Sequence, residues 1–596
     1  MKQGTDRQWT RSHLAILGMI LLAYVLIVWH ALQAPLMIGD DTAQLAYIRS
    51  HPALWQIAQY DCFYFFRPAK NLLFLGFNAL LPLGLPACRL LAVVLGLLSA
   101  LSVHLLFRRL LRAPYAALSA TACWLLAPTM LACTVWLSCV NIQVMIGLAA
   151  AAVLLFLKAC ERTTDAHGRL LLAGAWAASL LALLCYEGAV VLPGLLVLLL
   201  FFLYPERLRE RRIWRAGAVL VSALVLYLLL RTCRTPTAYR MAPVNFGEMT
   251  DWQVIAAAPW FFFQHLSIWL WPFGRQAVLG GYVLGQVSPW LLGCAWVAAL
   301  ALITGTLLLR RRLPIASLGV AWCLVAFLPV SNILAFRNGP YGDYYFALPS
   351  LGLALAFGWG VGALAARRQW LRGAGLALAA VVIWRLAAVG ESAAWARAWN
   401  DPKAMLDRTV RTFPRAFGAI NEYARVCYRQ GAYDECLALT DRSLALAPCR
   451  RDAYELRALV AERRGDVTQA QKELERFMQY GGTDESWGWF FQGYLLDEHL
   501  GDTNGATRCY RQAVAHRVGW TPDVLQAMTT LGFFAAQRGD RREAVDLWEQ
   551  VLRADPAQQA ARQNLVRAYL ENGETNRAWE CMQWKPRANG STAAGR

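Results

Sequence analysis

The sequence predicts an all-α protein: a polytopic bundle of membrane-crossing helices followed by a solenoid of short helix–turn–helix repeats. Three observations predict it. Of the 596 residues 57% are hydrophobic and only 16% charged, whereas a soluble domain carries roughly 25% charged residues. The apolar excess lies between residues 14 and 390, in uncharged runs that exceed the ~20 residues needed to cross ~30 Å of hydrocarbon. After Glu391 hydrophobicity falls and a repeating pattern takes over. A soluble enzyme, a disordered chain and a secreted disulfide scaffold are excluded.

In the apolar half, about eleven spans are expected, near 14–33, 86–107, 115–136, 140–157, 170–186, 188–204, 214–231, 289–309, 314–333, 345–366 and 371–390. The run from Leu14 has no small-residue cleavage site before Gly39 and reads as a retained first span. Residues 1–390 carry 30 Lys and Arg against 12 Asp and Glu, and residues 391–596 carry 28 against 27. The basic excess therefore belongs to the membrane half, where Arg108/Arg109, Arg207–Arg212, Arg310–Arg312 and Arg367/Arg368 orient the spans, and is not a nucleic-acid footprint. The segment 254–272, rich in Trp and Phe, is expected to be re-entrant or interfacial, because a span there would place Arg310–Arg312 outside. Eleven spans then put the C-terminus and the loops 34–85 and 232–288 on the extracytoplasmic face. Gly358, Gly360 and Gly362 lie inside a span and read as close helix packing, not a phosphate loop. His104 reads as a satisfied histidine near a helix end.

Beyond a connector at 391–414, glycines recur at 431, 465, 501, 539 and 573, each followed five residues later by Cys436, Ala470, Ala506, Ala544 or Ala578. A glycine ending one helix, and a small residue where two helices cross, mark helix–turn–helix units. The period near 34 and the breaks at Pro448 and Pro556 resemble tetratricopeptide repeats, five of them over 415–585, with a disordered tail at 586–596. Such solenoids bind proteins or peptides in a groove.

Acidic groups at membrane depth are costly, so the few present are informative. Asp40 and Asp41 follow the first span in PLMIGDDTAQLAYI. Adjacent carboxylates perturb one another, so one can serve as a general base while the other positions a ligand. The same pair is also a common helix cap or solvated turn. In FFRPAKNLLFLGFNALLPLG, Arg67 and Lys70 lie on one helical face and suit either lipid phosphate or simple snorkelling. Glu187, between two spans, and Arg231, at a span end, complete the charged candidates.

These residues carry a resemblance. A diacidic motif after the first span, FRPAKNLLF at 65–74, YEGAVVLP at 186–193, LPVSNIL at 328–334 and DYYFALPSLG at 343–352 fall in an order similar to that of GT-C glycosyltransferases. The branch with C-terminal tetratricopeptide repeats, the transmembrane-and-TPR-containing (TMTC-like) proteins, is the closer match. The resemblance implies transfer of a sugar from a polyprenyl-phosphate donor on the extracytoplasmic side. It implies Asp40 as catalytic base with Asp41 beside it, Arg67, Lys70 and Arg231 as donor-phosphate-binding cations, and Glu187 and Asp343 as cavity-lining acids. Two departures stand out. Tyr344 occupies a position where relatives usually carry Arg, with Arg337 the available substitute, and APTMLACTVWLSCVNIQ lacks the His or Glu usual after the third span.

The function expected is an inner-membrane glycosyltransferase acting on a protein or other large acceptor, with the repeats recruiting acceptor or partner from the periplasmic side. Two alternatives stay open: modification of lipid A or another envelope glycan, and a non-catalytic repeat scaffold for envelope assembly. The lipid bilayer is a partner and nucleic acid is not. No cofactor motif is present. An obligate divalent metal is not expected, although the Asp pair is chemically able to hold one.

Overall fold

The structure, a computed structural model, describes residues 10–583 except 37–39, 51–56, 59, 63–64, 112, 162–165, 235–250, 274–286, 332, 334–341, 366–370, 481–485, 518–519 and 557. Every regular element among them is helical. The chain divides into two compact units. The first comprises 1–44, 57–426 and 445–447, and the second 45–56, 427–444 and 448–596.

The chain begins with α1 (Arg11–Trp29), α2 (Asp41–Ser50; from Leu45 onward counted with the second unit), α3 (Pro68–Leu80), α4 (Leu85–Leu110), α5 (Pro114–Leu125), α6 (Pro128–Val135), α7 (Val140–Glu161) and α8 (Ala166–Cys185). It continues with α9 (Leu192–Leu203), α10 (Arg211–Arg234), α11 (Asp251–Leu270), α12 (Pro289–Leu309), α13 (Pro314–Phe327), α14 (Ala347–Ala365), α15 (Leu371–Ala398) and α16 (Pro402–Thr412). Seven helices among the described residues are long and apolar enough to cross a membrane, which makes this an integral membrane protein. They coincide with seven of the eleven expected spans.

Three other expected spans are modified, each at a proline. The span at 115–136 is α5 and α6, bent by 58°, because Pro128 lacks an amide proton and pushes Ala127 out of the helical region. The spans at 188–204 and 314–333 are shorter helices, Glu187–Leu203 and Pro314–Val330. Each contains a tight 3₁₀ turn, at Glu187–Val191 before Pro193 and at Leu328–Val330 across Pro329. The segment 254–272, expected to be re-entrant or interfacial, is a continuous helix through Leu270, α11, with Pro259 inside it, and so does not turn back on itself. The connector is also largely helical, formed by the end of α15 and by α16.

The helices approach closely where small residues face each other. A Cβ on Gly319 of α13 would strike the Gly352 carbonyl of α14, and one on Gly352 would strike the Gly319 carbonyl. Gly358 and Gly362 lie against Ala116 of α5, as their packing role requires, whereas Gly360 faces open space. A buried polar knot then ties four helices together. Tyr24 of α1 meets the Thr134 hydroxyl of α6 at 2.6 Å, Thr134 donates to Gln143 Oε1 of α7 at 2.9 Å, and Gln143 Nε2 donates to the Ala92 carbonyl of α4 at 2.7 Å. Hydrogen bonds of this kind contribute about 0.6 kcal/mol each on average within membranes, so the knot fixes register more than it adds stability. His104 is buried and satisfied, with Nδ1 2.8 Å from Thr121 Oγ1 and Nε2 3.1 Å from His13 Nε2.

The helical repeats are built as their glycines predict. All five glycines, 431, 465, 501, 539 and 573, have φ between 66° and 84°, the left-handed conformation that ends a helix at low cost only in glycine. Asp466, Asp502 and Asp540 follow three of them and cap the next helix by accepting the amides of Gln469, Gly505 and Glu543. Cys436, Ala470, Ala506, Ala544 and Ala578 are fully buried where the paired helices cross.

Candidate active site at the diacidic turn

The first turn of α2 separates the two adjacent aspartates. The Asp40 carbonyl accepts the Gln44 amide at 3.0 Å, so Asp40 sits where the helix starts and Asp41 enters its first turn. Asp41 points inward: it is 1% exposed, and its Oδ1 accepts the backbone amide of Ser138 at 2.8 Å. The Asp40 carboxylate is only partly buried and makes no side-chain hydrogen bond or ion pair among the described residues. Burial raises its pKa to about 6. The Lys70 and Arg67 charges pull it down, and the Asp41 and Asp61 carboxylates push it up.

Opposite Asp40 stands a buried ion network. Pro68 starts α3, as proline does well at a first helical position, and sets Arg67 just before the helix with Lys70 and Asn71 in its first turn. Asp61 closes the preceding turn: its amide donates to the Phe65 carbonyl at 2.8 Å and its Oδ1 accepts the Phe65 amide at 3.0 Å. Lys70 Nζ donates to Asp61 Oδ2 at 3.1 Å. Burial works against a charge on Lys70, but the Asp61 carboxylate prevails and holds its pKa above the ordinary lysine value.

Arg67 forks onto Glu187, with Nε donating to Oε2 at 2.7 Å and Nη2 to Oε1. Its Nη1 is 3.9 Å from Asp61 Oδ2. The guanidinium is also sandwiched by aromatic faces, 4.2 Å from the centre of Phe65 and 4.7 Å from that of Tyr186. Arg67 and Lys70 are thus buried and engaged by carboxylates, not laid open toward lipid.

Amide side chains lock this network to α2. Asn71 Nδ2 donates to the carbonyls of Ile57 (2.7 Å) and Tyr60 (2.9 Å), and its Oδ1 accepts from Gln44 Nε2 at 2.8 Å. Gln44 Oε1 in turn accepts the Cys62 amide at 3.3 Å. These four hydrogen bonds tie the first turn of α2 to the segment that carries Asp61, Lys70 and Asn71.

Two further candidates, Arg231 and Tyr344, fall on the same network's margins. Arg231, near the end of α10, acts on Glu187 through its charge and stands beside Tyr227, whose ring is 5.9 Å from Phe66. Tyr344 packs edge-on against Trp136 at 5.4 Å and against Tyr345 at 4.4 Å. Asp343 begins the 3₁₀ turn Asp343–Phe346, but its side chain and the whole of Arg337 lie outside the described residues. Among the described residues no group of three or more His, Cys, Asp or Glu is placed to hold a metal ion.

Four participants carried no distinctive signal in the sequence. Asp61 was one carboxylate among several in the first loop, and Asn71 was hidden within the FRPAKNLLF run. Ser138 acts through its backbone, which no motif reveals. Asn141, which donates to the Cys185 carbonyl at 2.7 Å just before Tyr186 and Glu187, is likewise read only from the fold.

Comparison with known proteins gives one family match. Residues 535–583 match the family model described as a tetratricopeptide repeat. No curated protein matches the chain. Among solved structures the chain is similar to YrrB, a TPR protein with an unusual peptide-binding site, at 18% identity over 30% of this chain and 88% of that one, with a TM-score of 0.24. It is similar to MamA at 16% identity over 28% of this chain and 88% of that one, with a TM-score of 0.23. Across 76% of its length it is similar to ArnT from Cupriavidus metallidurans bound to undecaprenyl phosphate, at 17% identity over 78% of that chain and a TM-score of 0.37.

Proposed function

We propose that the chain is a GT-C-type glycosyltransferase of the TMTC-like branch, which moves a sugar from a polyprenyl-phosphate donor to a protein or other large acceptor. The reading places the reaction on the extracytoplasmic face of a bacterial inner membrane, with the repeats recruiting acceptor or partner. One observation carries it: Asp40 is a carboxylate with no side-chain hydrogen bond among the described residues and a pKa raised to about 6, near cations that Glu187 and Asp61 hold in place.

The chemistry follows from that placement. Ionised Asp40 takes the proton of an acceptor hydroxyl as its oxygen attacks the anomeric carbon. The bond from that carbon to the phosphate oxygen breaks, and its electron pair leaves with the polyprenyl phosphate. A base with a pKa near 6 is largely ionised at neutral pH yet still basic enough to share the proton in the transition state. Negative charge growing on the leaving phosphate is met by Lys70, Arg67 and Arg231, whose positions need no rearrangement during the reaction. Because Glu187 and Asp61 already engage Arg67 and Lys70, these cations act on the phosphate chiefly through their field. Cations fixed in this way can perform the stabilisation without a divalent metal.

The test is transfer of label from a polyprenyl-phosphate sugar pool in membranes, comparing the wild type with Asp40→Asn. Asp40-dependent label in the protein fraction is expected, and label in the lipid fraction instead identifies an envelope glycan as acceptor. Full transfer by the Asn variant overturns the assignment of the base. An absence of Asp40-dependent label across a panel of donors overturns the transferase reading and leaves a membrane-anchored repeat scaffold.

A further inference from the structure

Arg89 lies in the second turn of α4 with no exposed surface, a position where a guanidinium needs an explanation. Among the described residues only one of its nitrogens is partnered: Nη2 donates to the Pro35 carbonyl at 3.2 Å, while Nε and Nη1 have no hydrogen-bond partner there. Burial strips water from the charge, and one neutral carbonyl does not replace it. An apolar side chain of similar volume would suit this helix end at least as well. Stability alone therefore does not account for an arginine here.

Its surroundings do. Asp41 is the carboxylate whose charge acts on Arg89. Pro35 and Asp41 lie on either side of Asp40 in the chain, one in the segment leaving α1 and the other in the first turn of α2. The neighbouring residue Cys88 donates its thiol to the Phe77 carbonyl near the end of α3, the helix that carries Lys70 and Asn71. The start of α4 thus touches both halves of the site.

We propose that Arg89 is a positioning residue, a buried brace that holds Pro35 by a hydrogen bond and Asp41 by charge, and so fixes where Asp40 stands relative to Lys70. Asp41 is held from two directions in this arrangement, by the Ser138 amide on one side and by the Arg89 charge on the other. The catalytic role rests on the transferase reading of Asp40; the brace itself does not.

The experiment uses the full-length protein in membranes, with Arg89→Met, Arg89→Gln and Arg89→Lys. Gln keeps an N–H for the Pro35 carbonyl and carries the test should Met not fold. Loss of the brace is expected to lower kcat about tenfold while the KM for donor stays within about twofold, since misplacing a reacting group slows chemistry more than binding. Arg89→Lys, which restores the charge, is expected to recover most of that loss. A second readout is independent of activity: the rate at which a maleimide labels Leu36→Cys, followed at that site by mass spectrometry, is expected to rise about fivefold with Arg89→Met as the segment opens.

Unchanged labelling together with unchanged kcat in a folded neutral variant overturns the proposal, as does a Lys variant as slow as Met. If labelling at position 36 responds but the wild type transfers no sugar, the transferase reading falls and the brace stands. If the wild type transfers and neither readout responds, the brace falls alone.

Discussion

On the proposed transferase reading, lowering the pH from 7 to 5 should cost sugar transfer about nine-tenths of its kcat/KM. Burial raises the pKa of Asp40 to about 6. A general base works only when ionised, so a raised pKa moves the loss of activity to higher pH. With a value of about 6, roughly 90% of Asp40 is ionised at pH 7 and roughly 10% at pH 5. An ordinary aspartate would still be more than about 90% ionised at pH 5, and the rate would barely change. The groups that set the limb are Lys70, Asp41, Asp61 and Arg67. Of these, Lys70 is the strongest opposing charge. Lys70→Met removes it and should move the limb upward by about one unit, within the range expected for a cation at this separation. The assay is initial-rate transfer from a polyprenyl-phosphate sugar across pH 4.5–8 in detergent or nanodiscs, on free enzyme at low donor concentration. A control at pH 7 after incubation at pH 5 separates titration from unfolding. A rate that stays flat from pH 7 to 5, or a limb that moves down in Lys70→Met, would refute the reasoning.

Asp41→Asn should behave unlike Asp40→Asn: it weakens a buried acceptor of the Ser138 amide, costing about 1–3 kcal/mol of stability, while Asp40→Asn should leave the melting temperature in place and remove at least about a hundredfold of activity. Glu187→Gln strips the fork from Arg67 and should destabilise by about 3 kcal/mol, the low end for a broken buried pair, because Asp61 remains 3.9 Å from Nη1. The double variant Arg67→Met with Glu187→Leu should melt above the Glu187→Gln single, and strict additivity would refute the pairing. Gly319→Leu should abolish the folded, membrane-inserted protein, because its Cβ meets the Gly352 carbonyl, whereas Gly360→Ala should be tolerated, since nothing lies within 4 Å. Size-exclusion profiles of detergent extracts distinguish the two.

The parts of the fold that were legible in the sequence depend on local chemistry. Long apolar runs and a glycine at each helix end report on their own neighbourhoods, and so seven long apolar helices lie where spans are expected and each of the five glycines takes the left-handed conformation. The bend at Pro128 was written in the sequence too, but averaging hydropathy over the whole run conceals a proline in its middle. What was not legible depends on partners far along the chain. The fork from Arg67 reaches Glu187 across 120 residues, and the Ser138 amide reaches Asp41 across 97. Ser138 lies in the segment that read as a departure for lacking His or Glu. Its contribution is a backbone N–H, which leaves no trace in residue identity. Arg89 carries no signal in the sequence for a related reason: at the start of an apolar run, an arginine looks like a helix anchor until its burial is known.

The same long-range partners set the two adjacent aspartates apart. Neighbouring residues at a helix start project about 100° apart, so both cannot face one cavity. The fold uses that divergence, giving Asp41 an amide and a nearby guanidinium, while the Asp40 carboxylate makes no side-chain hydrogen bond among the described residues. Had Lys70 paired directly with Asp40, the carboxylate would be a strong acid and a poor base. Asp61 prevents this by taking the Lys70 ammonium at 3.1 Å, and Glu187 does the same for Arg67. The cations then lower the Asp40 pKa only in part, against a burial that raises it. A value near 6 is the balance between those effects, and it depends on carboxylates that never touch the substrate. Removing Asp61 should therefore damage catalysis more than its distance from the acceptor suggests, because Lys70 would be released toward Asp40.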